Sequence, residues 1–143
     1  MESLSVPGTL DSLGAIADFV KSAATAAGLD KKSAYKLRLA IDEVATNIII
    51  HGYEESGLEG HLYLFSEISD KTLTVVVEDI GAAYDPLQHM LPEDEHLQKP
   101  LEEREIGGLG IYLVLQGVDQ FIYERQGDRN LNTFIMNRPT DGR

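Results

Sequence analysis

Residues 62–86 read LYLFSEISDKTLTVVVEDIGAAYDP, and this stretch sets the architecture. Leu62 to Ile68 reads as a strand, Ser69-Asp70-Lys71 as a tight turn, and Leu73 to Val77 as a second strand. The continuous apolar run of the second strand predicts burial on both of its faces. It then ends on acids, Glu78-Asp79-Ile80-Gly81, with Asp85-Pro86 beyond. A carboxylate closing a buried strand is costly unless it meets donors. An exocyclic amine with a ring nitrogen bridged by water, as in adenine, would supply them, and Gly81 lets the backbone approach a flat base closely. A strand-ending Asp-x-Gly turn accounts for the same residues without a ligand, as an ordinary turn does for Asp85-Pro86.

Upstream, Leu4 to Val6 reads as a short strand broken by Pro7-Gly8. Thr9 or Asp11 caps a helix from about Leu10 to Ala27, with Leu13, Ile16, Ala17 and Val20 on its apolar side and Gly28 as its stop. Asp30 starts a second helix running to about His51. Leu37, Ile41, Val44 and Ile48 form its core face, and Gly52 ends it. This helix carries Glu43-Val44-Ala45-Thr46-Asn47, a carboxylate and a carboxamide four residues apart on one face. Asn47 stands one position off the core stripe. Its carboxamide oxygen there can bind a Mg²⁺ that keeps waters and phosphate oxygens. Glu43, one turn earlier, can orient or deprotonate an attacking hydroxyl or water. A solvated polar stripe beside an apolar one is the commoner fate of such a pair.

Downstream, Ala82 to Glu105 has no clear periodicity. It carries three prolines, two histidines and many acids, and reads as a mobile loop with room for a short helix. Gly107-Gly108-Leu109-Gly110 then runs into a helical pattern of Ile111, Val114, Leu115 and Val118. Glycines let the main chain turn several N–H groups toward a phosphate, and a following helix dipole adds to the attraction. The cluster is neither a P-loop nor a dinucleotide fingerprint, since no Gly-Lys-Ser/Thr follows and no parallel strand–helix unit surrounds it. Glycines also mark plain loops. Arg104 either reaches a terminal phosphate or pairs with Glu102, Glu103 or Glu105. His51, His61, His89 and His96 lack metal-ligand spacing, and His51 reads as a packed helix-end histidine. Phe121 to Arg125 and Leu131 to Asn137 close the chain as a hairpin around Gly127-Asp128-Arg129-Asn130. The predicted fold is α+β, a single-domain two-layer sandwich spanning residues 1–143. Its sheet is mixed but mostly antiparallel and is covered on one face by helices.

Composition narrows the function classes. The 143 residues suit one domain, and 43% hydrophobic with 25% charged residues is a globular balance. Cysteine is absent, which removes disulfides, thiolate metal sites and cysteine nucleophiles. The formal net charge of −12 argues against nucleic acid or an anionic membrane as partners and suits a basic protein partner. No apolar stretch is long enough to span a bilayer and no signal-like segment opens the chain, so a cytoplasmic location is expected.

With these residues in place, the chain resembles the GHKL ATP-binding superfamily, which includes gyrase B and the histidine kinases. Glu43 and Asn47 in EVATNIIIHGY are similar to its N box, Asp79 and Gly81 in VEDIGAAYDP to its first glycine box, and Gly107, Gly108 and Gly110 in IGGLGIYLV to its second. Residues 107–138 are especially similar to the anti-sigma-factor serine kinases. The resemblance implies a Bergerat-type ATP-binding fold with ATP and Mg²⁺ as cofactors. It implies Asn47 as the Mg²⁺ ligand, Glu43 as general base, Asp79 as adenine reader, and the segment Gly107, Gly108, Leu109, Gly110 beside the phosphates. Thr133 in the closing strand matches a position that supports the adenine-binding Asp, and residues 82–105 would be the lid. Members of this branch phosphorylate a serine on a small STAS-type antagonist protein and sequester a sigma factor, and many form homodimers. No dimerisation helix bearing a phosphorylated histidine is expected here, which argues against autophosphorylation. The expected activity is that of an ATP-dependent protein serine/threonine kinase. A nucleotide-gated binding module without transfer, a slow ATPase and a detached sensor domain are its rivals.

Overall fold

The computed structural model describes residues 2–86 and 115–139. Strand β1 (Glu2–Pro7) is followed by a 3₁₀ turn (Leu10–Ser12), helix α1 (Leu13–Ala26) and helix α2 (Lys31–Asn47). Asp30 caps α2 as expected, its carboxylate accepting the Ser33 N–H at 2.7 Å, which holds the carboxyl below its ordinary pKa. The start of α1 differs from expectation. Neither Thr9 nor Asp11 caps it, because the chain first makes the 3₁₀ turn and Ser12 takes the cap position with its hydroxyl donated back to the Pro7 carbonyl.

Helix α2 does not end at Gly52. It passes into a π-helical segment (Ile48–Glu54), with wider bonds from Glu55 N–H to the Ile50 carbonyl and from Leu58 N–H to the Tyr53 carbonyl just beyond. Strands β2 (His61–Ile68) and β3 (Thr72–Asp79) form the expected hairpin, and β4 (Gln120–Gln126) and β5 (Arg129–Asn137) the closing one. Gly127 supplies the positive φ of 63° at that two-residue turn. The described strands make one sheet of order β1-β2-β3-β5-β4, and each pairing is antiparallel.

Both helices lie on one face of this sheet, giving the two-layer α+β arrangement. Leu37, Ile41, Val44 and Ile48 of α2 meet Ile16 and Val20 of α1 and Leu62, Leu64, Leu73, Val75, Val77 and Phe134 of the sheet in one core. Burial along β3 alternates: Leu73, Val75, Val77 and Asp79 are buried, while Thr74, Val76 and Glu78 are only half-buried. The strand is therefore not buried on both faces as its unbroken apolar run predicts, since the helices cover one side of the sheet. Among the described residues no helix is long and apolar enough to cross a membrane.

Candidate functional site

The period of two along β3 that buries Leu73, Val75 and Val77 also carries Asp79 inward, and its side chain is 1% exposed. One carboxylate oxygen, Oδ1, accepts the Gly81 N–H at 2.9 Å and the Asn130 side-chain amide at 2.9 Å. The other, Oδ2, is buried with no partner. Burial raises the carboxyl pKa, against the lowering effect of the Asn130 and Gly81 bonds and of the nearby Arg125 guanidinium. A buried acceptor oxygen without a protein partner at a strand end fits the amino group of a base.

Gly81 has a packing reason as well. A Cβ there would lie 2.7 Å from the Gly52 carbonyl oxygen, and that same carbonyl accepts the Ala82 N–H at 3.0 Å. The chain leaving β3 is thus laid directly on the π-helical end of α2. Tyr53 ties the same junction, its hydroxyl accepting the Ile80 N–H and donating to the His61 carbonyl. His51 stacks on Tyr84 with centroids 4.9 Å apart and bonds Glu55 at 2.7 Å, so it is packed at the helix end as its sequence position suggests. Asp85 is half-buried in the same segment, near Tyr123, whose phenol pKa is raised first by burial.

Asn47 closes α2 and is 7% exposed, with its Nδ2 buried and unpaired. Asn47 is thus not part of the solvated stripe that the sequence alone favours. The unpaired Nδ2 is a donor and calls for an acceptor, whereas a Mg²⁺ would be held by the other atom of the carboxamide, its oxygen. Among the described residues no group of three or more His, Cys, Asp or Glu side chains could hold a metal ion. Glu43, about 6 Å earlier along the helix axis, is half-buried, and burial raises its pKa. Asp42 beside it is likewise raised by burial and pairs with Arg38 at 3.5 Å. A concavity of about 730 Å³ between α1 and α2, lined by Asp18, Lys21, Tyr35 and Arg38 among others, holds none of the predicted site residues.

Thr133 does not reach Asp79. It pairs with Val76, and both belong to the sheet face turned away from the helices. One residue along a strand reverses the side chain, and the positions facing Asp79 are Asn130, its cross-strand partner, and Asn132. Asn130 is the residue that sequence reasoning missed. Its amide nitrogen also reaches the carbonyls of Gly81 and Ala82 at 3.2 Å, and its carbonyl accepts from Tyr123 and from Arg125. Arg125 also donates to the Gly81 carbonyl at 3.1 Å. The signal was present in the period-two series Asn130, Asn132, Phe134, Met136, which sets two carboxamides on an apolar face. Arg104, Gly107, Gly108, Leu109, Gly110 and the greater part of the proposed lid, 87–105, lie outside the described residues.

Comparison with known proteins places the fold and the family. The family model for the histidine kinase-like ATPase domain matches residues 6–136. A protein named serine-protein kinase RsbW from Halalkalibacterium halodurans is 26% identical over 117 residues, covering 78% of this chain and 67% of that protein. The serine/threonine-protein kinase BtrW of Bordetella bronchiseptica is 28% identical over 96 residues, covering 67% of this chain and 65% of its own length. The anti-sigma F factor of Bacillus licheniformis is 28% identical over 88 residues, covering 59% and 55%. The chain thus spans between 55% and 67% of these curated relatives. The histidine kinase domain of the Erythrobacter litoralis blue-light activated histidine kinase shares the fold, with a TM-score of 0.52 at 21% identity over 92% of this chain and 61% of that one.

Proposed function

The chain belongs to the histidine kinase-like ATPase domain family, and from that premise we propose that it is an ATP-dependent protein serine/threonine kinase of the anti-sigma type. Its phosphoacceptor is a serine on a small STAS-type antagonist protein, and a sigma factor is its second partner, both met in the cytoplasm. The empty, buried Oδ2 of Asp79 is the observation that carries the nucleotide assignment. It offers one acceptor to the amino group of adenine. The names of two relatives, a serine-protein kinase and a serine/threonine-protein kinase, support transfer to a protein hydroxyl, and the name of the third, an anti-sigma factor, supports a sigma factor as partner.

In this reading Asn47 holds Mg²⁺ through its carboxamide oxygen, and the ion when bound neutralises phosphate charge. Gly107, Gly108, Leu109 and Gly110 flank the phosphates, and Arg104 meets the terminal one. Glu43 takes the proton of the incoming serine hydroxyl. The serine oxygen bonds the γ-phosphorus as the bond from that phosphorus to the bridging oxygen of ADP breaks. Burial favours Glu43 as a base, since a raised pKa brings its proton affinity closer to that of the task.

The test is labelled-ATP transfer onto candidate antagonist proteins by wild type and Glu43→Gln, with partner release followed alongside. Wild type is expected to yield phosphoserine on one of them. The variant should be slower by about 10²–10⁴-fold, with nucleotide affinity little changed, because Glu43 faces the attacking hydroxyl. No phosphoserine from wild type, together with identical partner release by the two proteins, would leave a nucleotide-gated binding module instead.

A further inference from the structure

The chain carries its charge unevenly. Residues 13–40, from α1 into α2, hold five cations, Lys21, Lys31, Lys32, Lys36 and Arg38, against two acids, Asp18 and Asp30, in a chain of formal net charge −12. The described arginines elsewhere are engaged within the fold: Arg125 with Asn130 and the Gly81 carbonyl, Arg129 with Glu78, and Arg138 with the carbonyls of Ala27 and Ser69. Among the described residues, Arg38 alone of the five helical cations makes an ion pair, with Asp42 at 3.5 Å, and exposed pairs of this kind hold weakly. Lys21, Lys31 and Arg38 line the concavity of about 730 Å³ between the two helices, with Asp18 beside them. Between the charges the lining is small and apolar, from Gly14 and the half-buried Ala17, Leu29 and Ala34. A Cβ on Gly14 would meet nothing within 4 Å, so the groove is open at that end. Tyr35 also lines it and is 57% exposed.

We propose that this groove is a docking site for an acidic amphipathic helix of another protein, separate from the residues assigned to the nucleotide. The helical form of the occupant follows from the walls. Both are helices whose backbone groups are bonded internally, so no strand edge is offered to an extended segment. From Gly14 to Thr25 the α1 wall runs about 16 Å, which suits about three turns of a docked helix. Its apolar stripe, at i, i+3, i+4 and i+7, meets Ala17, Leu29, Ala34 and Tyr35. Carboxylates beside that stripe meet Lys21, Lys31 and Arg38, and an exposed tyrosine among small residues is the kind of anchor that carries binding energy. The acidic whole would suit basic partners, and this surface is the exception. A second copy is disfavoured, because a two-fold contact would set the basic rim against itself. A nucleic acid or an anionic membrane would meet the same cations but also the repulsion of the acidic remainder.

Fluorescence anisotropy with a labelled peptide of about fifteen residues tests this. The probe sets leucines at i, i+3, i+4 and i+7 with glutamates on either side. A second peptide has the same composition with alternating leucines, and a third carries lysine for glutamate. Wild type should bind the probe roughly tenfold or more tightly than either control, with affinity falling as sodium chloride rises. The double variant Lys21→Glu with Arg38→Glu, and separately Tyr35→Ala, should each lose roughly tenfold. Lys21→Arg, and Lys71→Glu away from the groove, should bind as wild type. All these side chains are exposed, so the variants should melt with wild type, and Tyr35→Ala decides if the double variant does not fold. Saturating ATP should leave the probe bound. Equal binding of the alternating peptide, or a probe affinity unchanged in Tyr35→Ala and the double variant, overturns the proposal. Displacement of the probe by ATP overturns it in favour of the nucleotide. Binding of phosphatidylserine vesicles or of a DNA duplex that the same variants abolish overturns it in favour of a general anion surface.

Discussion

Asp79 makes two hydrogen bonds through one oxygen and none through the other. Burying the carboxylate with one oxygen unpaired is a cost to the free protein. The linkage sign follows from the raised pKa: the folded protein binds this proton more tightly than the unfolded chain. The stability it contributes is full below the ordinary aspartate range and is lost as pH rises through the raised value. Asp79→Asn keeps an oxygen for Gly81 and Asn130 and removes the buried charge. It should raise the Tm of the free protein at neutral pH, by about 2–4 °C for each kcal/mol relieved. The same variant should weaken ATP binding by roughly 2–5 kcal/mol. Thermal melts and calorimetry on one preparation check both, and a variant that melts lower, or binds ATP as wild type does, contradicts the assignment. Glu43 gives a pH counterpart. The transfer rate should rise with pH through a limb lying above the ordinary glutamate range, because the base must first lose its proton, and Glu43→Gln should flatten that limb. Asp79 was legible in the sequence because an acid ends an apolar run. Asn130 and Asn132 were passed over although their period-two spacing with Phe134 and Met136 marked the inner face, because polar residues in a closing strand read as its solvent side until the register fixes the face.

At the scale of elements, the contact between the exit of β3 and the π-helical end of α2 assembles the site. Its glycines are unequal. A methyl group on Gly81 would lie 2.7 Å from the Gly52 carbonyl oxygen, whereas one on Gly52 meets nothing nearer than 3.6 Å. Gly81→Ala must push two backbones apart and should cost roughly 1–3 kcal/mol, with nucleotide affinity falling in step. Gly52→Ala should stay within about 0.5 kcal/mol of wild type. Denaturant unfolding of the two variants decides the point, and equal losses would show that the close approach is not what holds the junction. The sequence misplaced the end of α2. A glycine after a periodic apolar stretch signals a helix stop, but Gly52 does not take the positive φ that such a stop uses, and the helical path continues to Glu54. The apolar stripe of α2, the Asp30 cap and the two hairpins were readable, because they depend on local periodicity and turn chemistry alone. The one-sided burial of β3 was not, since Val75-Val76-Val77 carries no alternation to read.

The whole molecule has a formal net charge of −12. Like charges spread over so small a surface repel one another, and salt screens them over about 10 Å at 0.1 M. The Tm should therefore rise as sodium chloride is increased from low to moderate concentration, and a flat or falling curve would show that local pairs such as Arg129–Glu78 already offset the repulsion. Sequence order gave the layers but not the sheet order. That β5 lies between β3 and β4, and β1 at the far edge, depends on pairings between distant segments that no local pattern records. This order has a consequence through Asn130. One amide joins the carboxylate of Asp79 and the carbonyls of Gly81 and Ala82 to Tyr123 and Arg125 of the edge strand β4. The outer hairpin and the carboxylate that ends β3 therefore share a single joint. On the proposed ATP reading, a protein that displaced Arg125 or Tyr123 would disturb Asn130 and, through it, the carboxylate of Asp79. By reciprocity, the factor by which such a protein alters nucleotide affinity equals the factor by which nucleotide alters its own hold on the chain.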